Sequence, residues 1–296
     1  MNYSLCCISN KLSRKGVKFQ KMTYTRFKSL DKKEAIKTLS QRILNNFVVT
    51  HKTIEHCVDM KLEGYRLSSD ITPVINHPDV DLQLEDLPDF DTINSVIKST
   101  SELIKSSGIR ITAHPSEFIS LTSENPEVIK NSFRDLISHA DIFDRYNLKQ
   151  DYYNCLNIHC RQEGEPVEIS TRFINNYNNL PSNIKKRLVV EVNDNKNGIW
   201  SIKNLCSYFY NVAGIPVTYD TLHHNFCNNG ESDNEAFELA YKTWNVTPVF
   251  HYSEGIGMTR NHAEFAVSKP KDFGKPVIWD IELKGKDDAI ELMLTA

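Results

Sequence analysis

Eight short apolar runs, separated by longer amphipathic segments, constrain this chain more than any other feature. They are YSLCCI (3–8), GYRLSS (64–69), GIRITAH (108–114), NCLNIHC (154–160), RLVVEVN (187–193), IPVTYD (215–220), TPVFHYS (247–253) and PVIWDIEL (276–283). Each is short for a core helix, and together they are rich in the β-branched and aromatic residues of strands. Between them lie helix-like stretches such as DKKEAIKTLSQRILNNF, DTINSVIKSTSELIKSS and PEVIKNSFRDLISHADIFDRY. In the last, Val128, Ile129, Phe133, Leu136, Ile137 and Ala140 recur at helical spacing. Asp91 before TINSV and Ser201 before IKNLCSYFY are the expected N-caps. Strands alternating with helices predict an α/β fold with a parallel sheet. Eight of them favour a closed (β/α)8 TIM barrel, a single domain over 1–296, with no G-x-G-x-x-G to support a dinucleotide fold.

Composition adds exclusions. No window approaches the roughly 18 unbroken apolar residues of a membrane span, and MNYSLCCISNKLSRKG lacks the features of a signal peptide. Seven cysteines without a C-x-x-C pair read as reduced, packed thiols of a cytoplasmic protein, not as a zinc site. The net charge of −3 does not mark a nucleic-acid binder. Its distribution is uneven, however. Ten basic residues fall between Lys11 and Lys37, against only Asp31 and Glu34. This 11–37 segment reads either as a solvated surface loop or as a phosphate-tracking loop carrying Lys15, Lys18 and Lys21.

In a barrel of this kind the C-terminal strand ends build the functional site. The third run ends at His114, the fourth carries His159, the fifth Glu191, the sixth Asp220 with His223 just beyond, the seventh His251 with His262 in its loop, and the eighth Glu282. A lone strand-end histidine is usually a hydrogen-bonded core residue. A glutamate within an apolar strand is harder to explain, because an unpaired buried carboxylate costs several kcal/mol. Arg66 and Arg110 are conceivable partners for Glu191, but both lie nearer strand starts. Six strands ending alike favour a metal cluster. Imidazole with carboxylate and no thiolate suits Zn²⁺, Mn²⁺ or Fe²⁺, and five histidines with three carboxylates suit two or three ions bridged by Glu191. His224 is expected to point elsewhere.

The motifs YRLSSDITP (65–73), AHPSEF (113–118), NIH (157–159), LVVEVND (188–194), PVTYDTLHH (216–224), HYS (251–253), NHAEF (261–265) and IELKGKDDAI (281–290) together resemble the ATP-independent UV damage endonucleases. That family is a metal-dependent TIM barrel related to endonuclease IV. The resemblance spans nearly the whole chain and implies metal ligands at His114, His159, Glu191, Asp220, His223, His251, His262 and Glu282, with His77 of INHP as a further candidate. Departures occur as well. The family's His-Pro-Gly-Gln-aromatic motif is His114-Pro115-Ser116-Glu117-Phe118 here, which bears on lesion preference. The N-terminal aromatic has only Leu5 or Tyr3 nearby, and the residue two before His251, often Lys, is Val249. DIELKGK aligns in two registers. The one chosen makes Glu282 the ligand and Lys284 the lysine following it.

The resemblance implies a monomeric endonuclease that cuts damaged double-stranded DNA immediately 5′ to a photolesion, leaving 3′-hydroxyl and 5′-phosphate ends. It implies two or three divalent ions, Mn²⁺ foremost with Zn²⁺ or Mg²⁺ as alternatives, and no ATP. It also implies a cytoplasmic, nucleoid-associated location. Glu191 would bridge metals, Lys284 would stabilise charge, and Glu117 and Phe118 would meet the lesion, with Phe19 and Tyr24 as further stacking surfaces. Three other readings remain: an abasic-site endonuclease, a metal-dependent sugar isomerase or epimerase, and a non-catalytic scaffold.

Overall fold

A computed structural model describes residues 2–196, 198–257 and 259–295. All eight apolar runs form strands: β1 (Asn2–Cys6), β2 (Gly64–Leu67), β3 (Arg110–Ala113), β4 (Leu156–His159), β5 (Leu188–Glu191), β6 (Val217–Thr218), β7 (Val249–Tyr252) and β8 (Ile278–Ile281). They pair in parallel in the order β6-β5-β4-β3-β2-β1-β8-β7. β6 is only two residues long, so the last seam is thin. It is joined by the His251 N–H donating to Tyr219 O at 2.9 Å and by an Asp220–His251 bridge. The result is a nearly closed TIM barrel. The β3–β4 seam also has a single paired position, Ala113 with Leu156. There the Asn154 side chain donates to Ile111 O at 2.8 Å and replaces part of the missing ladder.

Helices fill the crossovers. Lys32–Asp59 is capped by Asp31, whose carboxylate accepts from the Lys33 and Glu34 N–H groups. It buries Ala35, Leu39, Ile43 and Phe47 at four-residue spacing. Phe90–Ser107 ends at Gly108, whose φ of 71° is the left-handed C-cap that favours glycine. Ser201 caps its helix as expected. Asp91 does not, since the helix starts two residues earlier, at Phe90, and Asp89 is its N-cap; Asp89 turns its carboxylate to the Ser40 hydroxyl at 2.7 Å. In Pro126–Arg145, Leu136 and Ala140 are buried but Ile137 lies on the exposed side.

The 11–37 segment is not a loop. It holds two short helices, Asn10–Arg14 and Tyr24–Lys28, and the first turns of Lys32–Asp59. Ser9 and Thr23 cap the short ones through their hydroxyls, a local signal that the charge count obscured. All seven cysteines are free, six of them buried. No helix among the described residues is long and apolar enough to cross a membrane.

Candidate metal centre

Because the strands are parallel, their C-terminal ends open on one mouth, and the register brings the polar residues level. His159 pairs with Glu191 across β4 and β5, and His251 with Asp280 across β7 and β8. Asp220 caps the helix Thr221–Phe226, accepting from the His223 N–H at 2.6 Å, so one turn carries both side chains. Glu191 is fully buried at the centre. His114 Nε2 lies 3.1 Å from it, His223 Nδ1 3.0 Å, His251 Nδ1 3.1 Å and His159 Nε2 3.7 Å. The Asn157 amide also donates to Glu191. Thus the partner of Glu191 is neither Arg66 nor Arg110. Arg66, although the third residue of β2, reaches up the barrel and hydrogen-bonds Glu282 instead.

Three donor sets adjoin one another: His114 with His159 and Glu191; Glu191 with Asp220 and His223; Asp220 with His251 and Glu282. Glu191 and Asp220 are each shared by two sets. Several of these buried atoms make no hydrogen bond among the described residues, including Glu191 Oε1, Asp220 Oδ2, His159 Nδ1, His251 Nδ1 and His262 Nδ1. His251 Nδ1 and Glu191 Oε2 are close in space yet not aligned as donor and acceptor, as expected of groups aimed at a common point. Such orphaned donors and acceptors fit divalent cations. The sets contain no thiol.

The electrostatics agree with a site built for positive charge. Burial opposes the His223 imidazolium, but Asp220 and Glu191 outweigh it and push the group up to about 10. For His251 burial is likewise outweighed, chiefly by Glu191, and the group rises to about 9. Burial drives His159 well down against the pull of Glu191, and burial, opposed by His223 and aided by Glu282 and Glu191, raises Asp220 to about 6. Burial also pushes the Glu282 carboxyl up, yet Arg66 and then His251 hold it below the usual carboxylate range. His262 stands at the edge, its Nδ1 3.9 Å from Glu282 Oε2. Its loop is pinned by the Lys284 and Gly285 N–H groups donating to Ala263 O and Glu264 O.

The family model described as UV-endonuclease UvdE matches residues 1–296. The chain belongs to this UV-endonuclease family. Curated relatives include a UV DNA damage endonuclease of Nostoc sp., 27% identical over 292 residues, covering 93% of this chain and 85% of the relative. Another, from Bacillus cereus, is 29% identical over 252 residues, covering 82% and 75%. A crystal structure of SacUVDE superposes with a TM-score of 0.81 at 28% identity, covering 100% of this chain and 98% of that one. A D-psicose 3-epimerase from Clostridium cellulolyticum shares the fold alone, with TM-score 0.54 and 11% identity over 95% and 84% of the two chains.

The remaining positions suggested by the family pattern fall variously. His77 is not drawn into the three donor sets; its ring stacks on Tyr24 at 4.0 Å and its Nδ1 accepts from the Asp79 N–H. That stack also occupies Tyr24 as a base-stacking surface, and Phe19 packs against the core. Tyr3 and Leu5 are buried, so neither presents an aromatic to a lesion. Phe118, by contrast, is 82% exposed beyond β3, which excludes a core role. Glu117 beside it lies 3.5 Å from Arg161. Lys284 is exposed on the rim. His224 turns away from the centre toward Asp233, as expected. Two residues escaped the sequence reading: Asn157, hidden as an ordinary polar strand residue, and Asp280, overshadowed by Glu282.

Proposed function

We propose that this chain hydrolyses a DNA phosphodiester bond immediately 5′ to an ultraviolet photolesion, using two or three divalent ions in the barrel mouth, with Mn²⁺ foremost. The observation that carries this reading is the run of three adjoining donor sets sharing Glu191 and Asp220, with orphaned atoms converging between them. Family membership supports the substrate class. His114, His159, Glu191, Asp220, His223, His251, Glu282 and, at the edge, His262 would hold the ions. Divalent ions supply acidified water at neutral pH and positive charge for phosphoryl oxygens.

The chain's own residues bind and orient. Arg66 holds Glu282 by one carboxylate oxygen and leaves the other facing His262. Lys284, exposed on the rim, would offset charge on the phosphate. Phe118 is the wedge that enters the gap left by extruded nucleotides, at a cost that damage has already lowered. Glu117 tunes that contact through Arg161. Lys15, Lys18 and Lys21 follow the backbone of the damaged duplex.

The test is incubation of purified protein and Mn²⁺ with end-labelled duplexes carrying a pyrimidine dimer, an abasic site or no damage. A single cut 5′ to the dimer, absent with Glu191→Ala, is expected. Cutting of the abasic duplex alone would reassign the activity and implicate Glu117. No cutting by metal-replete protein would overturn the nuclease reading in favour of a keto-sugar substrate.

A further inference from the structure

Asp280, the third residue of β8, has no part in the three donor sets. It is buried to 1% exposure, and neither carboxylate oxygen makes a hydrogen bond among the described residues. A buried carboxylate left in that state is costly, so its surroundings should reveal its purpose. Register places it directly beside His251 of β7. Its Oδ2 lies 3.8 Å from His251 Nε2 and 3.8 Å from Arg66 Nη1. That Arg66 nitrogen already donates to Glu282.

The opposite nitrogen of the same ring faces the centre. His251 Nδ1 is 3.1 Å from Glu191 Oε2, 3.5 Å from Glu282 Oε1 and 4.0 Å from Asp220 Oδ2. A histidine that ligates through one nitrogen must carry its hydrogen on the other, and the group receiving that hydrogen fixes both tautomer and ring orientation. Only a shift of about 1 Å separates the observed 3.8 Å from an ordinary N–H···O bond.

We infer that Asp280 is a positioning residue, accepting the His251 Nε2 hydrogen and so holding Nδ1 on the metal centre. This rests on the metal reading proposed above. The carboxylate is there for the ion and not for the fold. Removing it should therefore weaken metal binding while leaving the metal-free protein as stable as before, or more so.

The experiment uses the full chain as wild type, Asp280→Asn, Asp280→Leu, His251→Gln and the double variant His251→Gln/Asp280→Asn. Mn²⁺ affinity and stoichiometry are measured by calorimetry, and melting temperature on the metal-free proteins. Both Asp280 variants should bind the weakest-held ion 10- to 100-fold less tightly, as about expected for a group behind a ligand. Asn, which keeps an acceptor oxygen, should lose less than Leu. In the His251→Gln background, Asp280→Asn should change affinity by less than about twofold, because a residue acting through His251 has nothing left to act on. Wild-type affinity in the Asp280 variants would overturn the inference, as would an equal loss with or without His251. A fall in metal-free melting temperature matching the affinity loss would assign Asp280 to the fold instead. Wild-type protein that holds no stoichiometric ion would remove the metal reading itself, a distinct result.

Discussion

The barrel buries polar side chains at both ends and treats them oppositely. At the floor, Arg110 and Arg187 are fully buried, and every guanidinium nitrogen has a partner. Arg110 donates to the carbonyls of Tyr153, Thr247 and Tyr152, and Arg187 to those of Lys149 and Leu148 and to Asp144 at 2.7 Å. At the mouth, Glu191, Asp220, His251 and Asp280 are as deeply buried, yet they and the neighbouring His159 leave polar atoms without hydrogen bonds among the described residues. What separates these two groups is therefore not burial but satisfaction. The two arginines are complete as protein, whereas the mouth residues carry atoms with no protein partner among the described residues.

Paired substitutions test this contrast most sharply. Glu191→Gln keeps the shape and removes the shared ligand, so incision should fall on the order of 10³-fold, or about 4 kcal/mol. Its metal-free form should lose far less stability than a floor variant, since it gives up only the attraction of Glu191 for the His223 and His251 imidazolium groups. Arg110→Leu strands three carbonyls at about 1–3 kcal/mol each and should cost about 3–5 kcal/mol of stability in a denaturant titration. The fraction that remains folded should still bind metal with wild-type stoichiometry. If Arg110→Leu abolished binding in folded protein, or Glu191→Gln destabilised as strongly, the two ends would not be different in kind.

A smaller effect distinguishes the ends through pH. In the metal-free fold, His223 sits at about 10 and His251 at about 9, both above their unfolded value. Folding therefore gains stability from their protonation, fully present below about pH 6.5 and lost as pH rises through 9 to 10. Asp220, raised to about 6, has ionised before that window opens. Ligation needs both imidazoles neutral, so adding metal at neutral pH should release about two protons per molecule. Calorimetry in buffers of different ionisation enthalpy measures the release. Metal-free melting temperatures that stay flat between pH 7 and about 10 would mean that these histidines are not held as cations.

The strands and most of the centre were legible because they depend on short-range facts. A run such as LVVEV reads as a strand whatever its neighbours do, and the parallel arrangement then stacks His114, His159, Glu191 and Asp220 at one end. What stayed hidden depends on side-chain reach and on competing local partners. Arg66 looked too far down β2, but its long side chain climbs the barrel to Glu282. His77 had the right neighbours in sequence but found Tyr24. Asp91 had the right residue type for a cap, and Asp89 took the position. Asp280 was invisible as a functional residue because its meaning lies in the absence of a hydrogen bond, which no spacing encodes.

The same contrast between partnered and unpartnered groups recurs on the surface, where its effect is smallest. In the basic 11–37 segment, Lys11 pairs with Glu291 at 2.7 Å, and Arg14 meets both oxygens of Asp288 at 2.8 and 2.9 Å. Lys21 lies 3.1 Å from Asp70. Lys15 and Lys18 are exposed and make no ion pair among the described residues. Only charges free of protein partners can displace counterions from a duplex at no local cost, and each phosphate contact contributes roughly 0.9 to the slope of log affinity against log salt. Replacing Lys15 and Lys18 together by Ala should therefore lower that slope by about 2 on a damaged duplex. Arg14→Ala should leave it unchanged, and Lys21→Ala should fall between, since Asp70 competes for its charge. Equal effects from Arg14 and Lys15 in fluorescence anisotropy titrations would show that the ion pairs open on binding. The distinction between partnered and free groups, firm inside the barrel, would then not extend to its surface.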